Sequence, residues 1–135
     1  MKKRQTIPAL EKKLDTAFSK YIRLRDALKN GSNQYAKCVS CGDIKDWKYQ
    51  MDAGHFVGRS SKAVRHDERN VHAQCKQCNM GGKGTAHQDY REFMVKTYGL
   101  DVVNELIHKG KQTHKYDRQW LKDKAIFYRK AFREL

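Results

Sequence analysis

Two Cys-x-x-Cys pairs, Cys38/Cys41 and Cys75/Cys78, bracket the middle of the chain and contain all four of its cysteines. Each pair can place two thiolates on one side of a tight turn, and a tetrahedral zinc ion needs two such pairs. A disulfide framework would instead suit a secreted chain, and residues 1–5 precede no apolar segment that could serve as a signal peptide. The spacing therefore predicts one structural zinc ion with four thiolate ligands. Two disulfides or free thiols are the alternatives.

The chain is strongly basic, with 29 Lys and Arg against 15 Asp and Glu and a formal net charge of +14. Residues 1–30 carry 9 basic and 3 acidic side chains, residues 111–135 carry 8 and 3, and residues 31–110 are nearly balanced at 12 and 9. Basic ends around a balanced centre favour a polyanionic partner, by default nucleic acid. A basic protein without such a partner is the alternative. No apolar run approaches the roughly 18–20 residues that span a bilayer, so we expect no membrane partner.

The length fits a single domain, residues 1–135, in which we distinguish three parts. An N-terminal helix is predicted over residues 7–30, because its apolar residues recur at spacings of three and four. Pro8 suits the first turn of that helix, and Asn30 with Gly31 forms a stop signal.

The central part, residues 32–84, contains the cysteines. Residues 47–53 alternate in the manner of a strand, a loop follows over 58–69, and residues 70–74 predict a second short strand that leads into a short helix beside the metal.

The last part, residues 85–135, reads as helices. Thr85 and Gln88 form a capping-box pattern, Asp101 is a candidate cap for a second helix, and a third is predicted from about Thr113.

Three polar residues within and directly after the cysteine pairs suggest chemistry. Hydrolysis of a phosphodiester needs a base for the attacking water and positive charge for the phosphate and the leaving oxygen. One histidine and one hard divalent ion can supply these. His55 ends the first predicted strand, Asn79 follows the last cysteine, and Asn70 could hydrogen-bond the backbone that carries His55. A lone histidine is usually structural, but this order of motifs favours a catalytic one.

This order resembles the HNH, or ββα-metal, nucleases whose motif is held by a four-cysteine zinc site. Longer segments resemble the NinG/Rap family of lambdoid phage recombination endonucleases, over roughly residues 10–98. The segments that carry the resemblance are Leu14-Asp15 and residues 18–26, 38–42, 53–56, 67–75 and 78–79. It implies an α+β, mainly helical fold: a zinc-stapled ββα-metal (HNH, treble-clef-like) core flanked by N-terminal and C-terminal basic helices.

The resemblance also implies a function, that of a structure-selective DNA endonuclease acting on branched recombination intermediates such as Holliday junctions and D-loops. By position, His55 matches the general base, Asn70 the central asparagine and Asn79 a ligand of the catalytic ion, Mg²⁺ or Mn²⁺. The products would carry 5′-phosphate and 3′-hydroxyl ends. Such an enzyme would be encoded by a phage or prophage and act in the cytoplasm of the bacterial host.

Gly54 departs from the pattern, because many HNH sequences carry an acidic metal ligand immediately before the histidine. Asp52 is the nearest carboxylate, but on a regular strand it would point away from His55. A bulge or bend would be needed to bring the two together. Alternatively, His55 itself binds the ion and His72 or His66 takes part.

DNA contacts are expected from basic residues of the core and of the terminal helices. The candidates are Lys83 and His87 at the scissile phosphate, and Arg59, Lys20, Arg23, Arg118 and Lys122 elsewhere. Cutting a four-way junction takes two nicks related by a dyad, so a homodimer is expected. Three alternatives stay open: a non-catalytic zinc-containing DNA-binding module, an HNH nicking nuclease on ordinary duplex DNA, and an RNA-directed nuclease.

Overall fold

The structure, a computed structural model, describes residues 3–135 and contains five helices and four short strands in that range. In chain order they are α1 (Ile7–Lys29), β1 (Tyr35–Lys37), β2 (Ile44–Asp46), β3 (Met51–His55), β4 (Val71–Cys75), α2 (Lys76–Asn79), α3 (Ala86–Tyr98), α4 (Leu100–Gly110) and α5 (Arg118–Arg133). The fold is α+β and mainly helical, as predicted. None of the helices within residues 3–135 is both long and apolar enough to cross a membrane.

Helix α1 begins and ends where its sequence signals lie. The Thr6 hydroxyl accepts a hydrogen bond from the Ala9 N–H at 3.2 Å, Pro8 occupies the first turn, and Gly31 after the helix has φ +77°. One face is buried against α5 and β4. The side chains of this cluster include Leu10, Leu14, Phe18 and Ile22 of α1, Val71 of β4, and Leu121, Ala125 and Tyr128 of α5. The two basic ends of the chain therefore pack side by side.

The strands form two separate antiparallel pairs, β1 with β2 and β3 with β4. The prediction of a strand over residues 47–53 is partly wrong, because residues 47–50 form a turn and β3 runs from Met51 to His55. Asp46 explains the turn: its side chain accepts from the Lys48 N–H at 2.8 Å and its carbonyl from the Gln50 N–H at 2.9 Å. The β1–β2 hairpin was not predicted.

Two helix starts and one cap also differ from the predictions. Helix α5 begins at Arg118 rather than near Thr113, because the Asp117 side chain caps it by accepting from the Gln119 N–H at 3.0 Å. The capping box at Thr85 is absent, since that hydroxyl donates to the Asp89 carboxylate instead. Helix α4 begins at Leu100 directly after Gly99, with Asp101 in its first turn rather than at its cap.

Candidate functional site

The four cysteines meet between the β1–β2 hairpin and the end of β4. Their sulfur atoms all lie within 4.8 Å of one another, and the Sγ atoms of Cys41 and Cys75 are 3.9 Å apart. A tetrahedral zinc ion with Zn–S bonds of about 2.3 Å would separate its sulfurs by about 3.8 Å. None of the four cysteines is joined to another in a disulfide, so the disulfide alternative is not observed. The cluster is positioned to bind a metal ion and is compatible with structural zinc.

Polar groups around the cluster also suit thiolates. The Cys75 N–H donates to Cys38 Sγ at 3.3 Å, and the Cys78 N–H donates to Cys75 Sγ at 3.4 Å. Lys83 lies at the rim, where a hydrogen bond with Cys41 raises its pKa above the ordinary value. These donors offset part of the negative charge that four thiolates would place around a divalent ion.

A cavity of about 750 Å³ lies beside this cluster, between α1, strand β3 and the loop of residues 58–69. Seven of the predicted site residues meet there. Those that line it are Asp52, His55, Asn79, Arg59, His66, Lys20 and Arg23. We refer to it as the His55 cavity.

His55 lines the cavity, and one of its two ring nitrogens is anchored to the backbone of the 58–69 loop. Its Nε2 lies 2.9 Å from the Arg65 carbonyl oxygen. A carbonyl can only accept, so Nε2 carries the proton and Nδ1 is the unprotonated nitrogen. Burial lowers the pKa of His55 to about 4. The imidazole is therefore neutral at pH 7, the form that a general base requires.

Asn70 is fully buried and ties the backbone just after β3 to the middle of the 58–69 loop. Its side-chain oxygen accepts from the Val57 N–H at 2.8 Å, and its amide group donates to the carbonyls of Val57 at 3.0 Å and Val64 at 3.1 Å. Val57 follows His55 by two residues, and Val64 directly precedes Arg65. One side chain thus ties the segment carrying His55 to the segment whose carbonyl orients it.

Replacing Asn70 with Ala should lower the free energy of unfolding by about 3 kcal/mol. The change leaves the N–H and the carbonyl of Val57 without partners, at about 1–3 kcal/mol for each such group less what relaxation recovers, while the Val64 carbonyl keeps its bond from the Asp67 N–H at 3.1 Å. Denaturant titration would measure the effect. The exposed Asn104 provides the control, since Asn104→Ala should change stability by less than about 0.5 kcal/mol. Equal effects of the two changes would contradict this account.

Asp52 and Asn79 form a pair of oxygen-bearing side chains on the cavity wall. The Asn79 amide donates to Asp52 Oδ2 at 3.1 Å, while Lys76 Nζ lies 2.7 Å from Asp52 Oδ1. Strand pairing is regular from Met51 to His55, so the bulge considered for Asp52 is not present. Asp52 and His55 line the same cavity without a bulge, because a two-stranded ribbon twists strongly.

This pair fits a hard divalent ion. Carboxylate and amide oxygens are suitable ligands, and Mg²⁺ commonly uses only one or two protein carboxylates together with water and phosphate oxygens. Lys76 supplies a competing positive charge to the same carboxylate. Asp52 and Asn79, the two residues predicted to bind the catalytic ion, thus lie together in the cavity that His55 also lines.

The structure explains why glycine stands at position 54. A Cβ atom there would lie 2.1 Å from Gln74 Oε1 and 2.8 Å from Gln74 Cβ. Gly54 is buried, and its carbonyl accepts from the Tyr90 hydroxyl at 2.7 Å. The Gln74 side chain occupies the space that a side chain at position 54 would need, and neither residue lines the His55 cavity, so an acidic side chain at this position would not enter the cavity.

Replacing Gly54 with Ala should destabilise the protein by about 1–3 kcal/mol, the usual cost of overpacking a closed interior. The matched control is Gly84→Ala, because a Cβ atom at Gly84 would meet nothing within 4 Å. That change should be neutral or slightly stabilising. Thermal unfolding of both variants would test the prediction, and a Gly54→Ala variant as stable as the control would contradict it.

The two further histidines proposed as partners of His55 occupy different places. His72 is buried on the other face of the β3–β4 pair, where its ring nitrogens lie 3.0 Å from the Tyr90 hydroxyl and 2.8 Å from that of Tyr98, and burial lowers its pKa to about 3. The structure does not bring it to His55. His66 does line the His55 cavity, with Nε2 at 2.7 Å from an Asp15 oxygen.

Asp15 of α1 also lines the His55 cavity, and sequence reasoning assigned it no role in the site. Its carboxylate accepts from Arg59 at 3.1 Å, from Arg65 Nε at 3.1 Å and from His66 at 2.7 Å. Burial alone would raise its pKa, but the hydrogen bonds from His66 and Arg65 outweigh that effect and hold the pKa well below its usual range. Asp15 thus attaches the 58–69 loop to α1, and Arg65 of that loop orients His55.

Four of the predicted DNA contacts lie outside the His55 cavity. Lys83 is 3.4 Å from the Asp43 carboxylate, and the His87 ring stacks on Phe56 with centroids 5.4 Å apart. Arg118 donates to the Gln5 carbonyl, and Lys122 is exposed on α5. Contact of these side chains with DNA stays a prediction.

Comparison with known proteins gives one family. The family model described as "Bacteriophage Lambda NinG protein" matches residues 1–135. The protein ninG of Salmonella phage P22 is 29% identical over 125 residues, which are 92% of this chain and 56% of that protein. The protein ninG of Escherichia phage lambda is 28% identical over 125 residues, with the same coverage. That of Escherichia phage 933W is 32% identical over 96 residues, 70% of this chain and 43% of that protein.

The chain therefore spans about half the length of these curated relatives. No solved structure matches it.

Proposed function

The chain belongs to the NinG family of phage proteins, and from that premise we propose that it is a metal-dependent DNA endonuclease. Its substrates would be branched recombination intermediates such as Holliday junctions and D-loops. One observation carries the proposal: a neutral, oriented histidine, His55, shares a cavity with the oxygen pair of Asp52 and Asn79.

In this mechanism His55 Nδ1 takes a proton from the water that attacks the phosphorus. The Arg65 carbonyl keeps the ring in the required tautomer, and Asn70 holds the backbone around both. Asp52 and Asn79 would hold the divalent ion, Mg²⁺ or Mn²⁺. When bound, such an ion supplies positive charge to the phosphate and to the leaving 3′ oxygen.

The charge on the cavity wall suits a phosphodiester substrate. Lys12, Lys20 and Arg23 line it together with Arg59 and Arg65, which are both ion-paired with Asp15. Such side chains attract phosphates without reading a base sequence, and selection of branched DNA would then rest on its shape and deformability.

The proposal includes an assignment of fold. Strands β3 and β4 with α2 would form a zinc-stapled ββα-metal core of the HNH, treble-clef-like type, in which the zinc ion has a structural role only. A homodimer in the cytoplasm of the bacterial host would place two such cores on the two strands to be cut.

The test is a cleavage assay on a synthetic four-way junction, a D-loop and a linear duplex of the same sequence, with and without added Mg²⁺ or Mn²⁺. Omitting the ion is preferable to a chelator, which could also remove zinc. We expect metal-dependent cutting of the branched substrates in preference to the duplex. Equal cutting of the linear DNA would indicate an ordinary nicking nuclease instead.

A second candidate function is a zinc-containing DNA-binding module without catalysis. The ion pair between Lys76 and Asp52, 2.7 Å long, favours it, because a lysine already balances the carboxylate that would hold a catalytic ion. Tight binding of junctions without cutting under any metal condition would support this function and contradict the nuclease.

The pH dependence of cleavage follows from the burial of His55. A base works only when unprotonated, and the pKa of His55 is lowered to about 4. Therefore kcat/KM, which reports the free enzyme, should stay level from pH 7 down to about pH 5 and fall as the pH passes through about 4. A fall centred near 6.5, the ordinary value for histidine, would contradict the buried, oriented base.

A further inference from the structure

A second cavity, of about 610 Å³, lies between the N-terminal half of α1 and the C-terminal half of α5. Its floor is apolar and its rim is basic. The basic residues are Lys12, Lys13 and Lys20 of α1 and Arg129 and Arg133 of α5, and the others are Ala9, Thr16, Ala17 and Phe132. We refer to it as the α1–α5 cavity. Lys12, Thr16 and Lys20 also line the His55 cavity, so the two cavities adjoin along α1.

The five basic side chains of this rim are exposed, and none has an ion-pair partner within residues 3–135. Elsewhere in the described part of the chain, carboxylates neutralise some of the cations. Arg25, Arg65 and Arg69 are paired with carboxylates, and Lys130, on the same helix as Arg129, lies 3.9 Å from Glu134. Five uncompensated positive charges around one cavity repel each other, and a polyanion relieves that repulsion.

We propose that the α1–α5 cavity holds the phosphate backbone of a double-stranded DNA arm and leads that arm to His55. This deepens the proposed function, on which it rests, by naming the surface that holds the substrate. On α1 the basic residues extend from Lys12 to Lys20, about 12 Å at 1.5 Å per residue. One strand of duplex DNA presents a phosphate every 3.4 Å or so along its axis, so this row faces about three successive phosphates.

The residues that line the α1–α5 cavity suit contact with the phosphate backbone of DNA rather than with its bases. Phe132 is its single aromatic residue, and that ring is half-buried and packs edge-on to Trp47 with centroids 6.1 Å apart. Binding of unstacked bases relies on exposed aromatic faces, which the lining of this cavity does not offer. Contacts here are therefore with phosphates and independent of sequence.

The test uses three residues that line the α1–α5 cavity but not the His55 cavity: Lys13, Arg129 and Arg133. The variant Lys13→Gln/Arg129→Gln/Arg133→Gln is compared with Arg91→Gln/Lys109→Gln/Lys111→Gln, which removes the same charge from exposed positions on α3 and at the end of α4. Both carry His55→Ala, and no Mg²⁺ is added, so binding is measured without cutting. The readout is fluorescence anisotropy of a labelled 20-base-pair duplex between about 50 and 200 mM salt.

Each phosphate contact contributes about 0.9 to the slope of log K against log salt concentration. We expect the slope to fall by about 2–3 in the cavity variant and by less than 1 in the control. Equal losses in the two variants, or no loss in either, would overturn the proposal. A competition experiment can also overturn it. If poly-glutamate displaces the labelled duplex as effectively as unlabelled duplex does, the partner is an acidic protein rather than DNA.

Because this readout is binding alone, it separates the two proposals. A steep loss in the cavity variant, with no cleavage by the parent chain, would support the DNA surface and contradict the nuclease. Cleavage by the parent chain, with unchanged slopes in both variants, would support the nuclease and contradict the DNA surface.

Discussion

Replacing His55 with Ala should lower the rate of DNA cleavage by about 10²–10⁴-fold, the usual contribution of a general base, with little change in affinity for branched DNA. The ring lines the His55 cavity with its Nε2 bonded to the Arg65 carbonyl, so its removal deletes the group that accepts a proton from water. The positive charges around the cavity are untouched, and they are expected to carry most of the affinity.

Single-turnover cleavage and anisotropy on one junction substrate would measure the two quantities. His108→Ala is the matched control, because His108 is exposed on α4. His55→Gln sharpens the test: the Gln amide can still donate to the Arg65 carbonyl, but it offers no basic nitrogen. Loss of activity in both His55 variants and not in the control would support a base. Activity retained in His55→Gln would indicate that His55 has a structural role.

The cysteine cluster was predictable from sequence because its information is local. Two residues between paired cysteines place two thiolates on one turn, and the sulfurs of Cys38, Cys41, Cys75 and Cys78 meet within 4.8 Å. The helices were predictable for the same reason, apart from the starts of α4 and α5; at α5 a single side chain, Asp117, decides where the helix begins. The family resemblance was also confirmed.

The wall of the His55 cavity was not predictable, because it depends on packing between distant segments. Asp15 bonds Arg59, Arg65 and His66, which are 44 to 51 residues away, and no periodicity along the chain encodes such a pair. Gly54 looked like a missing metal ligand for a similar reason. Only the cross-strand position of Gln74 shows that a side chain at position 54 has no room.

Replacing Cys78 with Ser should abolish zinc binding and the cooperative unfolding of the central part of the chain. Apparent binding free energies of structural zinc, about 10–16 kcal/mol in small zinc modules, are as large as the whole stability of a typical domain, about 5–15 kcal/mol. Few apolar side chains surround the cysteines to compensate, since this cluster contains the small Ala27, Ala36, Ala73 and Ala86 besides Met51. Gln77→Ser, an exposed position one residue earlier, should keep both zinc and stability.

Elemental analysis for zinc and thermal unfolding followed by circular dichroism would check this prediction, and a zinc-free Cys78→Ser variant that melts like the parent would contradict it. The effect should also reach cleavage, although the sulfurs lie outside the His55 cavity. Asn79 directly follows Cys78 and pairs with Asp52, and the same zinc ion would tie Cys38 and Cys41 of the β1–β2 hairpin to the end of β4. A second experiment starts from the parent chain stripped of metal and assayed in the presence of Mg²⁺. Added Zn²⁺ should restore its cleavage activity, and further Mg²⁺ should not. The reason is that removal of zinc displaces Asn79, whereas the catalytic ion is already supplied.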